Sequence, residues 1–131
     1  MDHASAQEWL DRYIAAWLTY DPEAIASLFT EDVVYRYHPS GDPVAGRDAV
    51  VAAWLGSPDS SDASTRDEPD TYSAAYSPVA VDGDVVVATG SSTYYESAGG
   101  AVDKVYDNCF VMRFDAAGRC SEFTEYYVQR R

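Results

Sequence analysis

Three side chains in this sequence have the type and the neighbours for proton chemistry: Glu125, Tyr13 and His38. Glu125 stands two residues after Phe123 and two before Tyr127, in a run that alternates as a strand does. Its carboxylate therefore shares a face with aromatic rings. If that face points inward, loss of water raises the carboxyl pKa toward the range useful for proton transfer. The same acid serves equally well as a buried structural group paired with Asn108, or with an Arg or His reaching across a cavity. Tyr13 falls on an apolar helix face. It can donate a hydrogen bond to a developing oxyanion, or pack in the core with its hydroxyl tied to Asn108 or a water. His38 is the one histidine outside the N-terminal tail, and imidazole is the natural proton shuttle near neutrality. Its parity, opposite to Tyr35 and Tyr37, turns it outward unless the strand twists before Pro39.

The element that must position Glu125 is the stretch Val102–Val128, which reads as a long β-hairpin. Two β-rich runs flank Asp115-Ala116-Ala117-Gly118, a tight turn with Gly where a positive φ is needed. A four-residue loop sets Phe114 against Arg119, Phe110 against Phe123, Asn108 against Glu125 and Tyr106 against Tyr127. One face then carries Tyr106, Asn108, Phe110, Met112, Phe114, Phe123, Glu125 and Tyr127. The other carries Val105, Asp107, Cys109, Val111, Arg113, Glu122, Thr124 and Tyr126. An apolar wall with one adjacent polar pair suits a small-molecule pocket, and it equally suits a core holding one satisfied polar pair. Trp17, Tyr35, Tyr37, Trp54, Asn108, Phe110, Met112, Phe123 and Tyr127 are the candidate ligand-binding residues. For Trp54 a plain core role is the simpler reading.

The rest of the chain supplies the cover. Ser5-Ala6-Gln7-Glu8 has the form of a capping box, opening a helix that runs to about Tyr20. Trp9, Tyr13, Ala16, Trp17 and Tyr20 share one broad face of it. Asp21-Pro22-Glu23 starts a short second helix that buries Ile25, Leu28 and Phe29. Val33–His38 reads as a strand, followed by a turn-rich loop through Pro43. A third helix follows Gly46, with Val50, Val51, Trp54 and Leu55 apolar, and Gly56 ends it. Ser57–Pro69 is polar and acidic and reads as a mobile loop, a lid or a plain connector. Thr71–Val81 and Val85–Tyr95 read as strands joined at Asp82-Gly83-Asp84, with a bulge or bend expected at Gly90. Helices segregated against an antiparallel sheet make an α+β architecture.

At 131 residues the chain is one domain, 1–131, long enough for a real core. Its formal net charge of −13 repels phosphate backbones and anionic lipids, which argues against nucleic-acid and membrane-surface partners. Cys109 and Cys120 do not face one another in the hairpin and form no CxxC, so a reducing compartment fits. No basic-then-apolar leader and no run of about 20 apolar residues is present, and a cytoplasmic protein is expected. His3 and His38 show no ligand spacing and the acids are scattered, so no metal or other cofactor is expected.

Several short stretches together resemble one family. They are Arg12-Tyr13-Ile14, Asp21-Pro22-Glu23-Ala24-Ile25, Phe29-Thr30-Glu31-Asp32, Gly46-Arg47-Asp48-Ala49-Val50, Val111-Met112-Arg113-Phe114-Asp115 and Gly118-Arg119. As a set the chain resembles the nuclear transport factor 2-like superfamily. That superfamily includes ketosteroid isomerase, scytalone dehydratase, limonene epoxide hydrolase and the SnoaL-like polyketide cyclases. The resemblance implies a cone: three N-terminal helices packed on a strongly curved, mainly antiparallel sheet. It places Tyr13 where ketosteroid isomerase has its oxyanion-hole tyrosine. The family's aspartate base falls at Tyr37, or at His38 if the loop shifts by one, and its second aspartate falls at Phe110. The Asp-Arg-Asp trio of the epoxide hydrolase is not evident on the inward faces. Tyr13, Tyr35, Tyr37 and His38 echo the tyrosine-and-histidine chemistry of scytalone dehydratase without its motif.

Two functions fit these residues. One is a cofactor-independent lyase, isomerase or cyclase moving protons on a hydrophobic cyclic substrate, with Glu125 or His38 as base and Tyr13 and Asn108 as polarising donors. The other is a non-catalytic ligand-binding or protein-interaction module with the same pocket. The resemblance also implies a homodimer through the outer sheet face, where Val105, Cys109, Val111, Thr124 and Tyr126 supply a patch.

Overall fold

The computed structural model describes residues 1–56 and 66–131. Residues 57–65, most of the expected Ser57–Pro69 loop, lie outside the described residues. Among those described, three helices and six strands follow the order α1 (His3–Thr19), α2 (Pro22–Ala26), β1 (Phe29–Arg36), β2 (Val44–Ala45), α3 (Arg47–Leu55), β3 (Tyr72–Asp82), β4 (Val85–Tyr95), β5 (Val102–Phe114) and β6 (Cys120–Gln129). The strands form one curved sheet in the order β2-β1-β6-β5-β4-β3. The fold is α+β, with the helices at the N-terminus packed on a mostly antiparallel sheet.

Helix α1 starts a turn earlier than the Ser5–Glu8 pattern implies. Asp2 is the cap: its Oδ1 accepts from the Ser5 backbone N–H at 2.8 Å, and Ser5 Oγ accepts from the Asp2 N–H at 3.0 Å. Ser5 is thus the reciprocal partner rather than the cap, because an aspartate three residues before it offers the better acceptor. The helix ends at Tyr20, whose φ of 51° is left-handed. Helix α3 ends on Gly56 as expected, at φ 76°.

The long strands are antiparallel, but β1 runs parallel to β6. This pairing joins residues about ninety positions apart, so no local pattern reports it. Strand β1 begins at Phe29 rather than Val33, and β2 is a two-residue partner to its edge. In the hairpin, Phe110 pairs with Glu125, Met112 with Phe123 and Asn108 with Tyr127, two residues away from the expected register. Two changes of one residue each make up the slip: the turn is five residues rather than four, which sets Phe114 against Cys120, and an irregularity lies between Arg113 and Phe114. A slip of two preserves parity, so both hairpin faces keep the expected residues. On the outer face Val111 and Tyr126 are 38% and 46% exposed. Cys109 and Cys120 are free thiols.

Gly90 is not at a bulge; the register shift in β3 lies between Pro78 and Ala80. Gly90 pairs with Tyr76 on one side and Asn108 on the other. A Cβ there would fall on the Ala75 carbonyl oxygen and the Tyr76 ring. The glycine therefore allows a close approach of two strands.

The core lies between α1 and the inner sheet face. Trp9, Phe29, Tyr35, Phe110 and Phe123 are its largest fully buried side chains. Each contributes roughly 1.5–3 kcal/mol by burial. Trp9 Nε1 donates to the Leu28 carbonyl at 3.0 Å, so no polar atom of that ring is left unpaired. Among the described residues, no helix is long and apolar enough to cross a membrane.

Candidate functional site

Beyond the end of this core the described residues enclose a cavity of 660 Å³. Tyr13, Trp17 and Tyr20 reach it from α1 and its cap, Tyr35 and Tyr37 from the end of β1, and Trp54 from α3. The sheet contributes Tyr76, Ser92, Tyr94 and Glu125. Walls of this kind, mainly aromatic with few polar groups, are those of small-molecule sites.

Glu125 is on the inner face of β6, half-buried at the cavity wall. Burial pushes its carboxyl up to about 7, and a hydrogen bond from Asn108 only partly offsets this. Asn108 Nδ2 donates to Glu125 Oε1 at 3.0 Å, along the diagonal between the two strands rather than directly across. Asn108 Oδ1 in turn accepts from Ser92 Oγ at 3.0 Å, and Ser92 is hydrogen-bonded to Tyr76. The carboxyl is thus held in place by a neutral chain, and among the described residues no cation forms an ion pair with it. A group poised near neutrality, fixed and open to a cavity, is suited to take or give a proton.

Tyr13 and Tyr35 stand beside it. Their hydroxyls are 3.1 Å apart. Both rings lie nearly parallel to Phe123, at centroid distances of 5.6 and 4.5 Å. One O–H is spent between the two phenols, so the second remains to be donated. Burial, then the charge of Glu125, raises Tyr13 well above the usual phenol range. Burial, then like-charge repulsion from neighbouring Tyr13, does the same for Tyr35. Both stay protonated donors at any ordinary pH. Trp54 Nε1 is buried with no hydrogen-bond partner among the described residues, a donor that an acceptor on a bound molecule would satisfy.

A second cluster closes the far side. Asp67 Oδ2 accepts from Trp17 Nε1 at 3.0 Å and from the Tyr20 hydroxyl at 3.3 Å. The Asp67 backbone N–H donates to the same hydroxyl at 2.9 Å. These bonds hold Tyr20 in its left-handed backbone conformation, which costs a non-glycine residue about 1 kcal/mol or more.

Of the residues singled out from sequence, Tyr13, Trp17, Tyr35, Tyr37, Trp54 and Glu125 line the cavity. Asn108 and Tyr127 instead line an adjoining shallow depression, which shares Asp67, Ser92, Tyr94 and Glu125 with it. Phe110, Met112 and Phe123 are core. His38 lies outside the cavity: β1 has ended at Arg36, and the imidazole is exposed, with Nδ1 2.8 Å from Ser40 Oγ. Its ring packs edge-on to Tyr127 at 6.3 Å. Tyr20, Asp67, Tyr76, Ser92 and Tyr94 escaped sequence reasoning. For Tyr76 a signal existed: it shares the face of Gly90 and Asn108 across the ladder. Among the described residues, no group of three His, Cys, Asp or Glu side chains could hold a metal ion.

The family model of the SnoaL-like domain matches residues 10–123. The chain belongs to the SnoaL-like domain family. Its fold, within the nuclear transport factor 2-like superfamily, is one of ligand-binding and isomerase- or cyclase-type proteins. A solved structure from Burkholderia xenovorans, described as an NTF-2 like protein of unknown function, is similar to this SnoaL-like domain at a TM-score of 0.68. The two are 17% identical over 98% of this chain and 86% of the other, a likeness of fold alone. No curated protein matches the sequence.

Proposed function

We propose that this SnoaL-like domain binds a hydrophobic cyclic small molecule and moves a proton on it, as a cofactor-independent isomerase, lyase or cyclase. Glu125 is the general base or acid. The Tyr13–Tyr35 pair donates the hydrogen bond that stabilises a developing enolate oxygen. The observation that supports this reading is the Glu125 carboxyl: at the wall of an aromatic cavity, pushed up to about 7, and fixed by an amide instead of a cation. A carboxylate locked to an arginine would have no such freedom.

Proton transfer at carbon can be followed without knowing the substrate. A panel of cyclic ketones and enones is incubated with the protein in deuterated buffer, and deuterium uptake is read by mass spectrometry. Catalysed uptake at a carbon beside a carbonyl is expected. Glu125→Gln should slow it about a hundredfold or more while the fold stays intact. Uptake at equal rates with both proteins would remove Glu125 from the chemistry. Binding without uptake by the wild-type protein would favour the non-catalytic ligand-binding module. What favours that second reading is the position of His38, which leaves the cavity one proton-transfer group poised near neutrality.

A further inference from the structure

The charges around the cavity are one-sided. Its lining holds two carboxyl groups, Glu125 and Asp67, and no Lys, Arg or His among the described residues. Asp67 spends Oδ2 on Trp17 and Tyr20, while Oδ1 accepts no hydrogen bond among the described residues. Around it stand the rings of Trp17, Tyr20 and Tyr94.

Two of these rings already attract cations. The Arg66 guanidinium lies 5.5 Å from the centre of Tyr20, and the Lys104 ammonium lies 5.5 Å from Tyr94 and 5.8 Å from Tyr106. An aromatic ring presents a negative face, so rings set around a carboxylate form a cage for positive charge. A buried anion has no such partner here and would face two acids in a low-dielectric space.

We infer that the ligand of this cavity carries a positive charge, as a protonated or quaternary amine on an apolar body, held between Asp67, Glu125 and the rings of Trp17, Tyr20 and Tyr94. This rests on the cavity binding a small molecule, and it names the class of that molecule. Lys104 lies in the adjoining depression, outside the cavity lining.

The probes are benzyltrimethylammonium, its uncharged carbon isostere neopentylbenzene, and the anion phenylacetate, each titrated by calorimetry or tryptophan fluorescence. The cation should bind at least tenfold more tightly than the isostere, with no binding of the anion. Asp67→Asn and Glu125→Gln should each erase most of that preference, read as the ratio of cation to isostere affinity.

A pH series adds a second readout. The groups facing Glu125 are Tyr13 on α1, Tyr35 on β1 and Tyr37 just beyond it, Tyr76 on β3, Tyr94 on β4, Asn108 and Lys104 on β5, and Asp67. The phenols that face it across the cavity are all pushed upward by burial and stay neutral. As Glu125 ionises, affinity for the cation should rise about tenfold between pH 6 and 8, and that for the isostere should not. If the isostere binds as well as the cation, the charge preference is wrong and the small-molecule cavity stands. If neither binds, both fail. A preference that survives both substitutions would place the cation elsewhere.

Discussion

The inner face of the β5–β6 hairpin is two surfaces built from the same two strands. Toward the turn, Phe110, Met112, Phe114, Cys120 and Phe123 lie under α1 and are buried. Toward the open end, Tyr106, Asn108, Glu125 and Tyr127 continue the same alternation, and Tyr127 is 48% exposed. The backbone does not change between the two halves; the cover does. Rings from α1 pack on the first half at 5.2–6.4 Å, such as Trp9 on Phe114 and Phe123. The second half meets cavity and solvent. Glu125 sits at the border, dry enough to hold its proton and open enough to give it up.

The comparison separates residues that hold the fold from residues that cost it stability. On the core side, Phe123→Ala should destabilise by about 3–5 kcal/mol, because it removes the ring on which Tyr13 and Tyr35 lie. Chemical denaturation measures it. A loss under 1 kcal/mol would break the division.

Gly90→Ala tests the close approach of the strands beside Asn108. The added methyl meets strand backbone at Ala75 and the ring of Tyr76, and a cost of about 1–3 kcal/mol is expected. The effect should appear in thermal melts. An unchanged midpoint would mean the strands can part without cost.

On the cavity side the sign reverses. Glu125 is protonated more readily in the folded state than in the unfolded chain, so the folded state holds the extra proton between the ordinary carboxyl pKa and about 7. Stability contributed by that difference is present at pH 4 and lost as pH rises to 7 and above, amounting to about 1–3 kcal/mol. Glu125→Gln should therefore stabilise the protein at pH 8 and change little near pH 4. A mutant less stable than wild type at pH 8 would show that the ionised carboxylate has a favourable partner. Smallest of all, Tyr127→Ala should cost under about 1 kcal/mol, since half of that ring is already in water. Melting as low as the Phe123 variant would erase the distinction between the halves.

Parity made this arrangement readable before any coordinates. The period-two pattern assigned Phe110, Met112, Phe123 and Glu125 to one face, and a register error of two left that assignment intact. Period 3.6 placed Trp9, Tyr13 and Trp17 together on α1. The hairpin register was not legible, because one extra residue in the turn and one irregularity at Phe114 change the pairing without changing composition. Nor was the parallel β1–β6 pairing, or the end of β1 at Arg36, which leaves His38 outside the strand. The Asp67 cluster depends on contacts spanning 47 and 50 residues, and nothing near Asp67 in the sequence points to Trp17 or Tyr20.

The central claim concerns one proton, and the most direct measurement is a carboxyl-carbon NMR titration of Glu125. Selective labelling of glutamate side-chain carboxyls, with Glu125→Gln used to assign the resonance, gives its midpoint. A midpoint near 7 is expected, shifting downward when a cationic ligand enters the cavity. A midpoint in the ordinary carboxylate range, about 4.3, would contradict the account, because Glu125 would then be a solvated anion with no special capacity to carry a proton.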